Sequence, residues 1–330
     1  MSKKQLVFDA FDNKVTERVP VGFWFHFAPD NLFDNLPEII QKNIEGHQKF
    51  FDEFNPDFVK LMSDGYFVYP NPALEKLETA EDLKNLKSGL VDEWIDAQTA
   101  LVKELTGRLG EDTATFYNIF APQTYLSFAL EDAGGKLTLA QLIKENPEEL
   151  AFALNEIKKD LAKLAVKVIT EGGADGIYLS TKNIQDPEVT KEDYWKYITP
   201  SDQGVLNAAN AVSDYNLLHI CGYEGARNDL STYADYDVKV INWAVVVEEV
   251  PLKEGKELFG GRAVIGGFDN TENGVLYKGT KEEVEAYTVK LLEDAGTTGI
   301  ILGADCTIPS DTPLERLEWV RQKAAEFVQK

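Results

Sequence analysis

Three side chains raise the question of chemistry: His219 and Cys221 in Leu218-His219-Ile220-Cys221-Gly222, and Cys306 in Leu302-Gly303-Ala304-Asp305-Cys306-Thr307. The chain holds only two cysteines and three histidines, so a cysteine two residues from a histidine is an informative spacing. In an extended strand, residues i and i+2 project to one face, which lets the His219 imidazole and the Cys221 sulfur converge on one point. With Cys306 added from a distant strand end, the set becomes His/Cys/Cys, three zinc ligands that leave one tetrahedral position open, as in catalytic rather than closed structural sites. Two thiolates make such an ion soft, and a thiol entering the open position loses its proton near neutrality, becoming a nucleophile toward an electrophilic methyl group. Water could enter instead, but two thiolates leave a weaker Lewis acid than three histidines would, so hydrolysis ranks second. Taken singly, each of these residues would read as a small buried group. Scarcity and spacing favour the metal.

Other candidates surround this set. Asp64, in Leu61-Met62-Ser63-Asp64-Gly65, could be a fourth metal ligand, a general base or a partner that orients substrate, with a turn-forming role weighed equally. His26, between Phe25 and Phe27, is a candidate substrate contact. Asp269, in Gly266-Gly267-Phe268-Asp269-Asn270, reads foremost as a loop-stiffening residue. His47, amid Glu45, Gln48 and Lys49, is expected in solvent with no function.

The elements that must position these residues form one repeating pattern. Eight short apolar or β-branched runs predict strands at Val21–Phe25, Phe58–Met62, Ala114–Ile119, Gly176–Leu179, Asn216–Ile220, Val238–Trp243, Ala263–Gly267 and Gly299–Leu302. Helical periodicity fills the intervals, at Leu36–Phe54, Ala80–Leu109, Leu139–Glu171, Lys191–Ser213, Gly225–Tyr233, Glu248–Phe259, Thr280–Ala295 and Pro313–Val328. Eight strand-helix units predict an α/β fold: a single (β/α)8 TIM barrel over residues 1–330, with an N-terminal helical extension and its site at the C-terminal strand ends. A doubly wound sheet ranks lower, because Phe25-His26-Phe27-Ala28-Pro29 after the first strand is no glycine-rich phosphate loop.

Composition narrows the partners. A net charge of −23 repels nucleic acid and anionic membrane surfaces. The first residues, MSKKQLVFDAFDNK, lack the apolar stretch of a signal peptide, and no run approaches the ~20 apolar residues of a membrane span. The chain therefore reads as cytoplasmic, its two cysteines kept as thiols rather than forming a disulfide framework.

Further segments give the chain a family likeness. Glu17-Arg18-Val19-Pro20-Val21, Pro122 and Thr124, Gly266-Gly267-Phe268-Asp269, Gly279-Thr280-Lys281-Glu282-Glu283-Val284, and Leu302-Gly303 followed by Thr312-Pro313-Leu314-Glu315 resemble the uroporphyrinogen decarboxylase superfamily over nearly the whole chain. That resemblance implies a (β/α)8 barrel and one of two activities: tetrapyrrole decarboxylation, or zinc-dependent transfer of a methyl group from a methylated corrinoid to a thiol such as coenzyme M. The decarboxylases carry an arginine-rich segment after the first strand, where this chain has Gly22-Phe23-Trp24-Phe25-His26-Phe27. Their tyrosine after the third strand is Phe128 here, and their histidine near the end of the eighth is missing from Gly303-Ala304-Asp305. Only Asp64 fits their aspartate. With six arginines in the chain, capture of an eight-carboxylate porphyrinogen looks electrostatically unfavourable. The methyltransferase branch carries a His-x-Cys pair and a distant cysteine, matched by His219, Cys221 and Cys306, and implies Zn2+, a small-molecule thiol and a methylcobalamin-type corrinoid, free or on a corrinoid protein. Asp64, Asp175, Glu224 and water stand as candidates for the fourth zinc ligand. A tetrapyrrole decarboxylase and a non-catalytic corrinoid- or metal-binding protein remain the alternatives. The resemblance leaves oligomeric state open.

Overall fold

The computed structural model describes residues 2–33, 37–182, 186, 188–222, 225 and 227–327. Its eight strands are β1 (Val21–Gly22), β2 (Phe58–Leu61), β3 (Ala114–Phe120), β4 (Gly176–Lys182), β5 (Leu217–Cys221), β6 (Val240–Trp243), β7 (Ala263–Phe268) and β8 (Ile300–Ala304). All pair in parallel, in the order β1-β8-β7-β6-β5-β4-β3-β2, with helices packed outside. This is a (β/α)8 barrel.

Alternation along the strands sorts side chains into two cores. Inside the barrel lie Trp24, Phe58, Met62, Phe116, Tyr178, Leu217, Val240, Ile265 and Ile301, together with Val7, Ala10 and Phe11 of the N-terminal helix Lys3–Phe11. That helix plugs the end of the barrel where the strands begin, for Lys4 pairs with Asp175 just before β4 and donates its backbone N–H to the Asp112 carbonyl just before β3. A larger apolar layer fills the space between strands and outer helices.

Among the described residues no ladder joins β1 to β2, and side chains close that seam. Asp57, fully buried, accepts from both Arg18 Nη atoms at 2.7 and 2.6 Å and from Val21 N at 2.8 Å. Gly22 faces the Phe58 ring so closely that a Cβ there would run into it. The ladder of β1 stops at Gly22 opposite Gly303, short of the expected Phe25, because the chain next engages the returning loop after β8, where Ile308 N donates to Trp24 O at 3.1 Å.

Several expected helices are broken, each for a local reason. The stretch Leu139–Glu171 divides into Leu139–Glu145 and Pro147–Thr170, since the residue before a proline avoids the helical region and Asn146 sits at φ −138°. Lys191–Ser213 divides likewise into Lys191–Tyr197 and Thr199–Asn210, with Pro200 in the first turn of the second helix. Ala80–Leu109 becomes a 3-10 segment, Ala80–Asn85, and a helix, Asp92–Leu109, separated by a turn in which Gly89 takes φ 80°. Glu248–Phe259 starts earlier and splits around Pro251, as Val245–Glu248 and Leu252–Leu258. Among the described residues, Gly225–Tyr233 has a 3-10 turn at Leu230–Tyr233 in place of an α-helix. A helix at Pro122–Asp132, begun by its N1 proline, lies where none was expected. Leu36 and Val328, the expected ends of two helices, lie outside the described residues, and no described helix is long and apolar enough to cross a membrane.

His47 is a correction: it is buried, not solvated. On the helix Pro37–Phe54 it lies on the buried stripe of Asn43, Ile44, Phe50 and Phe54, not with its sequence neighbours. Its Nε2 accepts from Met62 N at 3.0 Å and its Nδ1 donates to Asn43 O at 2.9 Å, so it pins the end of β2.

Candidate metal centre

The strands deliver His219, Cys221 and Cys306 to one place. His219 and Cys221 occupy alternate positions of β5, and Cys306 stands two residues beyond β8. Cys306 Sγ lies 3.4 Å from His219 Nε2 and 4.0 Å from Cys221 Sγ, and the three donor atoms all lie within 4.8 Å of one another. An ion with Zn–S bonds of about 2.3 Å and tetrahedral angles requires S···S near 3.8 Å and S···N roughly 3.5 Å. The donor set fits zinc in chemistry and in spacing.

Neighbouring hydrogen bonds orient the donors. Asn242, paired with His219 across the β5/β6 ladder, accepts from His219 Nδ1 at 2.5 Å. Its own Nδ2 donates to Ile265 O at 2.9 Å and to Ala304 O at 3.3 Å, which fixes the amide's direction. His219 therefore keeps its proton on Nδ1 and turns the Nε2 lone pair toward the sulfurs. Asn228 donates to Cys221 O at 3.2 Å and is itself held by Glu248, whose carboxylate accepts from Asn228 Nδ2 at 2.6 Å. Asp305, beside Cys306, accepts from Val246 N at 2.8 Å and donates its own N–H to Phe268 O at 2.8 Å. Burial pushes the Asp305 carboxyl up to about 8, against the pull of the Val246, Val245 and Gly267 amides.

Electrostatics at the cluster favour thiolate. The hydrogen bond with Cys221 holds the Cys306 thiol well below its ordinary range; burial opposes this, and His219 and Lys60 reinforce it. Lys60, an interior residue of β2, is buried, and its ammonium lies 5.0 Å from the Trp24 ring centroid and 4.4 Å from that of Tyr178. Burial pulls that ammonium down to about 8, while Cys306, Cys221 and Asp64 draw it upward. The Trp24 and Tyr178 rings in turn meet His219, with centroids at 6.4 and 6.3 Å.

Asp64 stands outside this cluster. Its Oδ1 lies 2.8 Å from His26 Nδ1, and its Oδ2 accepts from Phe27 N at 2.6 Å. The pair holds His26, whose side chain is 25% exposed, at the mouth beside Phe67. Asp175 lies at the opposite end of the barrel, before β4, where it accepts from Thr115 N at 2.9 Å and pairs with Lys4; it cannot serve as a ligand here. Glu224 lies outside the described residues. Asp269 accepts from Thr271 N at 2.8 Å, a turn that stiffens its loop.

Asn242 and Lys60 were not singled out from the sequence. The signal was present: each is a polar residue inside an apolar run, Val240-Ile241-Asn242-Trp243 and Phe58-Val59-Lys60-Leu61-Met62, at a position that alternation sends into the barrel.

Fold and cluster together define a (β/α)8 barrel that carries a soft-metal donor set at the strand ends where such barrels act. The chain belongs to the uroporphyrinogen decarboxylase family, whose sequence pattern it matches over residues 59–327. Two curated relatives bear the name methylcobamide:CoM methyltransferase MtbA. One, from Methanosarcina mazei, is 27% identical over 260 residues, 78% of this chain and 72% of the relative. The other, from Methanosarcina acetivorans, is 25% identical over the same shares. Among solved structures, a methyltransferase from Methanosarcina mazei superposes with a TM-score of 0.73 at 18% identity, covering 99% of each chain, a likeness of fold.

Proposed function

We propose that this protein is a zinc-dependent methyltransferase that moves a methyl group from a methylated corrinoid, free or carried by a partner protein, to a thiol. The observation that carries the reading is the convergence of His219 Nε2, Cys221 Sγ and Cys306 Sγ within 4.8 Å. The names of the two curated relatives support the donor and the kind of acceptor. Zinc on these three residues would lower the pKa of a thiol at its fourth position and so make that sulfur nucleophilic near neutrality.

The chain's own residues do the remaining work. Asn242 fixes the His219 tautomer, so that a lone pair rather than an N–H faces the ion. The buried floor of Trp24 and Tyr178 excludes water from beneath the centre. Asp64 fixes His26 through Nδ1, leaving Nε2 at the mouth to contact the bound acceptor. The corrinoid would approach over the same mouth, since the ligands stand at the open strand ends. The decarboxylase reading fares worse: no arginine occurs between Gly22 and Phe27 to receive substrate carboxylates.

The test combines metal analysis with a spectroscopic assay of methylcobalamin loss in the presence of several thiols. Purified protein should hold about one zinc per chain, and Cys221→Ser and Cys306→Ser should abolish both zinc retention and thiol-dependent demethylation. Full activity in zinc-free wild type would overturn the reading.

A further inference from the structure

Lys60 has no explanation in the fold. Burying an ammonium is costly unless an anion neutralises it, and among the described residues no carboxylate forms an ion pair with Lys60; Asp64, whose charge reaches it, is engaged by His26 and the Phe27 amide. Lys60 is 4% exposed. Its contacts are the rings of Trp24 and Tyr178, whose Nε1 and hydroxyl are themselves buried with no hydrogen-bond acceptor. Three donors, one of them charged, thus sit together with no anion hydrogen-bonded to them, and the rings that carry two of them also flank His219.

Charge counting at the metal centre names the missing anion. Two cysteine thiolates cancel a divalent ion. A third thiolate, brought by the acceptor, leaves one net negative charge inside the barrel. We propose that Lys60 is a positioning residue that supplies the counter-charge for the acceptor sulfur, so that the site selects the thiolate over the thiol and over the methylated product. The inference rests on the methyltransferase reading. On binding, the S–H proton leaves to solvent and the sulfur keeps the electron pair; that pair would form the new S–CH3 bond as the Co–CH3 bond of the donor corrinoid breaks with its electrons left on cobalt, and the product sulfur is a neutral thioether, which Lys60 no longer holds. One residue would thereby favour acceptor capture and product release.

The experiment uses zinc-loaded full-length protein and two small probes, mercaptoethanol and its S-methyl ether, with binding followed by calorimetry. Neither probe carries a charged tail, so they differ in the sulfur's charge and in one methyl group, and each variant is compared with wild type on the same probe. Lys60→Met and Lys60→Gln should weaken mercaptoethanol binding about tenfold or more, Lys60→Arg should restore most of it, and the thioether should bind all four proteins alike. Unchanged mercaptoethanol binding in both uncharged variants, with zinc still in place, overturns the role of Lys60 alone. Equal losses for thiol and thioether also overturn it, by showing a structural role. Zinc-loaded wild type that binds no thiol overturns the methyltransferase reading as well.

Discussion

Asn242 Oδ1 receives the Nδ1 proton of His219 at 2.5 Å while Asn242 Nδ2 is anchored to the Ile265 carbonyl at 2.9 Å, so one amide on β6 decides which nitrogen on β5 can bind an ion. Partners of this kind typically change metal affinity by about 10- to 100-fold when removed. Asn242→Leu should lower zinc affinity by that factor, measured by competition with a chromogenic chelator. Asn242→Asp, which keeps the acceptor, should lose less.

The His26–Asp64 pair should affect turnover without affecting the metal. A hydrogen bond to a charged group contributes roughly 1.5–3 kcal/mol, so His26→Gln and Asp64→Asn should each lower kcat/KM by about 10- to 100-fold. Zinc content should stay at the wild-type level in both. A loss of zinc in Asp64→Asn would instead make Asp64 a ligand.

The seam between β1 and β2 should be the most sensitive point of the barrel wall. Asp57→Ala leaves the half-buried Arg18 guanidinium and the Val21 amide without their acceptor. Removing one partner of a buried pair costs ~3–5 kcal/mol. A comparable loss should appear in chemical denaturation, and replacing Arg18 and Asp57 together by apolar residues should cost less than replacing Asp57 alone.

Asp202 should give the fold a measurable dependence on pH. Burial pushes its carboxyl from the ordinary 3.8 up to about 7, with the hydrogen bond from Tyr236 opposing. Between those two values the folded chain binds more protons than the unfolded one, so stability from this group falls as pH rises through about 4 to 7. The size is on the order of a few kcal/mol. Asp202→Asn should therefore be the more stable protein at pH 8, with the advantage fading toward pH 4, as read from Tm across that range.

Much of this arrangement is legible in the residues themselves. The strands are runs of apolar and β-branched residues that alternate predictably, which is why Leu218-His219-Ile220-Cys221 places both donors on one face of β5. Helix breaks at Asn146 and Ile198 were marked by Pro147 and Pro200 but hidden by apolar periodicity that runs on through both helices, because the paired helices bury neighbouring faces. His47 misled through its charged sequence neighbours, when the spacing to Ile44 and Phe50 already placed it on the buried stripe. Asn242 and Lys60 could be sited inside the barrel by alternation, but their partners lie on other strands, and only the closed sheet brings those strands together.

Cys221 and Cys306 are separated by 85 residues, and that interval carries β6, β7 and β8. As a chain is synthesised from its N-terminus, two donors emerge well before the third, and an ion held by all three would gain its full hold only once the last strand has docked against the first. On the proposed reading, loading with metal would be a readout of completed synthesis: a product cut short before Cys306 lacks a donor, and the barrel's final closure and its competence for chemistry would arrive as a single event.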